Sequence, residues 1–177
     1  MAPEIHWYAL KVFYNKMPAL KERLEDAGLE CYLPLGAGDK PLVAGLLFVH
    51  CNETQITGYR RHAPQDISFA IYTRKETRTS QFDRKEQEQD VPAPIPEREM
   101  EAFMLVTGND ASLFDVLGPD DPKYHTGQRV RVTQGPFAGA EGCVKRIKKD
   151  RRLVITVSGI VAVATVHINP KYLEPVS

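Results

Sequence analysis

Apolar positions recur along this chain with two different spacings, and the change from one to the other divides it. Residues 5–13, IHWYALKVF, are rich in aromatic and β-branched side chains and predict a strand. Helical spacing follows, with Met17, Leu20, Leu24 and Ala27 on one face, Pro18 in the first turn and Gly28 as the stop. LECYLPL (29–35) predicts a second strand, GAGDKP a loop, and LVAGLLFVHC (42–51) a central strand covered on both faces. A short polar helix or turn is expected over Glu53–Arg61, and a fourth strand over ISFAIYT, residues 67–73. The next helix should run from Pro96 to Val106, with Ile95, Met100, Phe103 and Met104 apolar and Gly108 ending it. That order of elements fits a sheet with helices on one face.

Beyond Tyr124 the pattern becomes short and alternating: QRVRVT, a Gly135-Pro136 turn, EGCVKRI, a basic turn KKDRR, LVITV and AVATVHI. Five short strands in about 50 residues, with no helix, predict a small barrel. Two stretches carry little periodicity. Residues 74–90, RKETRTSQFDRKEQEQD, cannot bury much and are expected as a mobile loop or hairpin tip, with basic residues that offer a nucleic-acid contact. Residues 109–123 read as a linker, with SLFDVL a helical turn docked on one domain. The expected organisation is therefore a domain over 1–108, a linker over 109–123 and a second domain over 124–177.

Charge sharpens this division. The chain is neutral, with 23 basic and 23 acidic side chains, yet residues 124–177 hold nine Lys/Arg against Glu141, Asp150 and Glu174. Opposite charge on two halves suggests modules with separate partners, or halves that attract each other. Cys31, Cys51 and Cys143 have neither a disulfide nor a metal-ligand spacing and are expected as reduced thiols. No apolar run reaches the roughly 20 residues of a membrane span, and the N-terminus lacks the pattern of a secretory signal, so a cytoplasmic location is expected. There is no Gly-rich phosphate loop, nucleophile elbow or metal-spaced cluster, and the five histidines are scattered. Neither catalysis nor a cofactor nor a bound metal is expected.

The glycines of the last third have a mechanical reading. Gly127 turns the chain into a strand, Gly135 with Pro136 forms a hairpin tip, and Gly142 sits inside a strand where a close backbone approach would require it. The run GQRVRVTQGPFAGAEGCVKRI strongly resembles a KOW motif, found in NusG and Spt5 elongation factors and in several ribosomal proteins. Ahead of it, WYALKVFYNKMPALKERLEDAGLECYLPL, KPLVAGLLFVHC and PAPIPEREMEAFM resemble, in order, the NusG N-terminal (NGN) domain. The resemblance implies an α+β NGN domain, a mostly antiparallel sheet with flanking helices, followed by a small all-β SH3-like KOW barrel. ECYLPL and the short length are similar to the specialised RfaH-like paralogues, and PIPEREMEAF to those serving polysaccharide operons in Bacteroidetes.

What the resemblance implies about function is a monomeric transcription elongation and antitermination factor. Its NGN domain would lay an apolar surface on the clamp helices of RNA polymerase, at positions matching Trp7, Tyr8, Leu46 and Phe48. Trp7 and Tyr8 point to opposite faces of a strand, so only one can share a surface with Leu46 and Phe48; all four can equally be core. Thr57 and Tyr59 match a second polymerase contact, and Arg60 and Arg61 are candidates for upstream DNA. In the KOW domain, Lys145, Arg146, Lys148, Lys149, Arg151 and Arg152 flank one turn and offer a patch for nascent RNA or an acidic protein surface. Phe137 is expected at an exposed hairpin tip. Ile160 replaces the aromatic of the loop that contacts a ribosomal protein or termination factor in the family, which puts that partner in question. A ribosome-associated RNA-binding protein is the alternative reading.

Overall fold

The computed structural model describes residues 3–119 and 121–176; Met1 and Ala2, Asp120 inside the expected linker, and Ser177 lie outside the described residues. The chain forms two compact units, residues 1–33 with 45–94, and residues 34–44 with 95–177. Among the described residues, no helix is long and apolar enough to cross a membrane.

The first unit is built on a four-stranded antiparallel sheet in the order β2-β3-β1-β4, from β1 (His6–Val12), β2 (Glu30–Tyr32), β3 (Leu46–Cys51) and β4 (Phe69–Ile71). β1 pairs with β3 so that Trp7 faces His50, Tyr8 faces Val49, Ala9 faces Phe48 and Lys11 faces Leu46. Because side chains alternate across a strand, this register sorts the apolar residues. Tyr8, Leu10, Leu47 and Val49 share one face, and on it pack Met17, Leu20 and Leu24 of α1 (Met17–Asp26) and Ile56 of α2 (Glu53–His62). Asn52 caps α2 in a reciprocal box with Gln55, the side chain of each bonding the other's backbone N–H (2.8 and 2.9 Å). Of the two readings of Glu53–Arg61, short helix or turn, the segment takes the helix, which runs one residue further to His62. Arg23 of α1 grips Asp66 through two bonds of 2.7 and 2.6 Å and holds the Asp66 carboxyl below the usual carboxylate range.

Residues 73–92, of which 74–90 were expected as a mobile loop or hairpin tip, form a two-stranded ribbon of β5 (Thr73–Thr79) and β6 (Glu86–Pro92), paired through seven rungs. Pairing rather than burial orders it: the backbone groups are satisfied across the ribbon while most side chains stay in solvent. Arg78 anchors it to α2, meeting both carboxylate oxygens of Glu53 at 2.8 and 3.0 Å and Glu76 at 2.7 Å.

The second unit holds the expected small all-β barrel as a six-stranded antiparallel sheet in the order β12-β8-β9-β10-β11-β7. Its strands are β7 (Phe114–Gly118), β8 (Arg129–Val132), β9 (Glu141–Ile147), β10 (Asp150–Val157), β11 (Val161–Thr165) and β12 (Leu173–Pro175). β7 comes from the segment expected as a linker, where a 3-10 turn at Ala111–Leu113 leads into an edge strand pairing with β11. SLFDVL is therefore strand over most of its length, not a helical turn. α3 (Glu97–Thr107) packs on β10. It is pinned at both ends: Ser158 donates its hydroxyl and its backbone N–H to Glu99, and Asn109, just past the helix, donates to the carbonyls of Leu105 and Pro136 at 2.8 and 3.2 Å. Residues 95–108 thus group with the barrel, and the division of the chain differs from the expected spans.

Gly142 lies buried in β9, where a Cβ would be driven into the backbone carbonyl oxygen of Val154 and against Ile155. Gly142→Ala is expected to cost about 1–3 kcal/mol by overpacking, read as a lowered urea midpoint at unchanged m-value. Burial pushes the Cys31 thiol up to about 12 and Cys51 up to about 11, from 9.0. The fold therefore holds both neutral; that contribution is full below pH 9 and is lost as pH rises towards these values. At pH 8 iodoacetamide should label Cys31 and Cys51 far more slowly in the native chain than in urea, and equal rates would overturn this account.

Candidate protein and nucleic-acid interfaces

Trp7, Leu46 and Phe48 come together, as the β1–β3 register requires, on the sheet face opposite α1 and α2. Trp7 stacks on His50 with ring centroids 4.6 Å apart, and Tyr32 of β2 lies beside Phe48 at 6.4 Å. Tyr8 is on the other face, inside the cluster formed with the two helices, and burial raises its phenol pKa. It is Trp7 that shares a surface with Leu46 and Phe48. All four side chains are buried, none more than 4% exposed.

The α2 candidates divide differently. Thr57 donates its hydroxyl back to the Glu53 carbonyl at 2.9 Å, and Tyr59 is half-buried against the core with its ring 6.4 Å from Phe69. Arg60 and Arg61 are exposed. The Arg60 guanidinium sits 5.6 Å from the centre of the Phe69 ring, a cation–π contact that holds it at the mouth of a groove of about 340 Å³. Arg61, Pro64, Ile67 and Ser68 line the same groove. These two arginines form a small basic edge fixed to the end of α2.

In the barrel, the six cations of the β9–β10 hairpin fall into two sets. Lys145 donates to Thr126 and Arg152 to Asp115 at 2.8 Å, so both are tied into the unit. Arg146, Lys148, Lys149 and Arg151 are exposed, and among the described residues none has an ion-pair partner. Elsewhere in the sheet, Arg131 bonds Glu141 and keeps its carboxyl below the ordinary range. Phe137 is a correction: the Gly135-Pro136 turn folds it inward, and it is 4% exposed beside Leu113, Val132 and Ile168, because Gly135 and Gly139 both take positive φ (+89° and +95°) and curl the loop back on the barrel. Ile160, in the turn between β10 and β11, is half-buried. Val161 and Val163, which follow it in β11, are buried strand residues.

One residue was not anticipated. Phe82 is fully exposed at the tip of the β5–β6 ribbon. The tip is internally bonded: Ser80 and Lys85 pair through backbone (2.8 Å), Arg84 N–H reaches the Ser80 carbonyl (3.0 Å), and the Ser80 hydroxyl accepts from Phe82 N–H (3.2 Å). The one available signal was a lone aromatic inside a charged run, which composition alone averages away. Phe82 is thus an exposed aromatic on an internally bonded turn, a residue type favoured as an anchor at protein interfaces.

The family model for transcription termination factor NusG matches residues 5–104, more than half of the chain. The transcription termination/antitermination protein NusG of Haemophilus influenzae is 35% identical over 74 residues, 39% of this chain and 36% of that protein, so the match spans about a third of the curated relative. A solved Thermotoga maritima NusG structure, concerned with its domain interaction, covers 98% of each chain at 16% identity with a TM-score of 0.48. On the family match across residues 5–104, the chain belongs to the NusG family.

Proposed function

We propose that this chain is a transcription elongation and antitermination factor, a binding protein rather than an enzyme, that engages RNA polymerase through the sheet of its first unit. The observation that carries the reading is the family match over residues 5–104, which spans every strand of that sheet. Trp7, Leu46 and Phe48 supply the contact surface: they share one face, are aromatic or aliphatic, and lie opposite the helices of their own unit. Each is buried in this structure, so the face must come free when the complex forms. Tyr8 does not belong to that surface. Arg60 and Arg61, at the end of α2, approach upstream DNA, with Thr57 and Tyr59 supporting the helix that carries them. The barrel serves as the second arm, recruiting a further partner. The resemblance of ECYLPL and PIPEREMEAF to specialised paralogues favours a factor serving particular operons over a general one.

Such a factor works by position. If it binds the closed elongating polymerase better than the opened, paused state, it shifts the balance by the ratio of the two affinities. Purified chain should co-elute with core polymerase and shorten pauses in a single-round elongation assay. Leu46→Ala should weaken polymerase binding by about tenfold, or about 1.4 kcal/mol, with circular dichroism confirming a folded variant. Failure to bind core polymerase at any salt concentration sinks the reading, and RNA binding without polymerase affinity supports a ribosome-associated role instead.

A further inference from the structure

The tip of the β9–β10 hairpin carries more positive charge than the fold has use for. Its register sets Arg146 directly opposite Arg151 and Lys145 opposite Arg152, with Ile147 opposite Asp150 closing a two-residue turn. Like charges directly across a strand pair destabilise it. Lys145 and Arg152 are relieved by Thr126 and Asp115, but the Arg146–Arg151 rung is not. The turn residues add to this. Lys148 and Lys149 both hold positive φ, +50° and +75°, in the left-handed region that a two-residue hairpin of this hand demands. Asn-Gly meets that demand with little strain, and a pair of lysines does not. Four exposed cations therefore project together against the single carboxylate of Asp150, in an arrangement that neither strand pairing nor turn geometry favours.

We propose that this tip is a binding site for the phosphate backbone of nucleic acid, with Arg146, Lys148, Lys149 and Arg151 each meeting a phosphate. The composition of the tip separates this from a protein contact. Protein interfaces centre on apolar or aromatic anchors, and Ile147, the tip's one apolar side chain, is half-buried. Phosphate contacts need cations alone and carry no sequence preference. A two-stranded ribbon is also narrow enough to enter the major groove of a duplex. With no aromatic beside the cations, base stacking plays no part. DNA and RNA present the same backbone chemistry, and this site is independent of any polymerase contact.

The experiment measures anisotropy of labelled duplex DNA and labelled single-stranded RNA, both of mixed sequence, with the full chain and no polymerase. Four phosphate contacts at the tip contribute about −3.6 to the log–log salt slope on duplex or about −2.8 on single strand, in addition to any share from Arg60 and Arg61. Through the tip alone, duplex affinity falls about 100-fold between about 50 and 200 mM salt. The tighter ligand identifies the source. The variant Arg146→Gln/Lys148→Asn/Lys149→Gly/Arg151→Gln should flatten the slope and weaken low-salt binding at least about tenfold, while its thermal midpoint stays level or rises, because it removes the like-charge rung and installs a favoured turn. If that variant fails to fold, Lys148→Asn/Lys149→Gly alone decides, with an expected loss of about half the tip's share of the slope. Absent binding by the parent chain, or unchanged binding by the variants, overturns the proposal. So does labelled poly-L-glutamate binding as tightly as either nucleic acid, which reassigns the tip to an acidic protein surface.

Discussion

The antiparallel pairing of β1 with β3 is the constraint on which the first unit rests. Both strands are apolar almost throughout, so composition does not say which side chains face the helices. Register does. With Ala9 opposite Phe48 and Tyr8 opposite Val49, one set of alternating residues closes on α1 and α2, and the other set gathers Trp7, Leu46 and Phe48. A shift of β1 by a single residue would move its side chains to the opposite faces and bring Tyr8 to the surface proposed to meet polymerase. The core and the candidate interface are thus two outcomes of one hydrogen-bond ladder.

The second unit is organised around closeness of backbone. Gly142 lets β9 lie against β10 with no room for a side chain, and Gly135 and Gly139 turn the hairpin loop inward so that Phe137 fills the barrel's end. Leu105 of α3 reaches within van der Waals distance of where a Gly139 side chain would begin. Glu99–Ser158 and Asn109–Pro136 then fix the two ends of that helix. Small residues set the spacing, and a few polar bonds set the orientation.

Elements that bury an apolar stripe were legible from the sequence. Met17, Leu20 and Leu24 mark α1, Met100 and Phe103 mark α3, and the alternation of QRVRVT marks β8. What stayed hidden is held by something other than an apolar stripe. β5 and β6 have no apolar period, because their order comes from cross-strand backbone bonds and from Arg78 reaching Glu53. β7 looked like a linker because FDVLG becomes a strand only where β11 offers an edge. Phe137 looked exposed because a Gly-Pro turn is usually a tip, and the inward curl needs two positive φ angles that spacing does not reveal. Among candidate interface residues, residue type pointed to the apolar set and the cation set. Register separated Trp7 from Tyr8, and pairing separated the four free cations from the two that are tied.

The β5–β6 ribbon has a further consequence. Among the described residues its rungs pair only with each other, so the stretch beyond Arg78 is uncoupled from the core of the sheet. Adding two residues to each strand beyond the Arg78 rung keeps every other side chain on its own face and moves Phe82 outward by about 6.8 Å. Adding one residue to each strand turns the tip over. The ribbon is thus an arm whose reach can be extended in fixed increments while its grip on Glu53 stays in place.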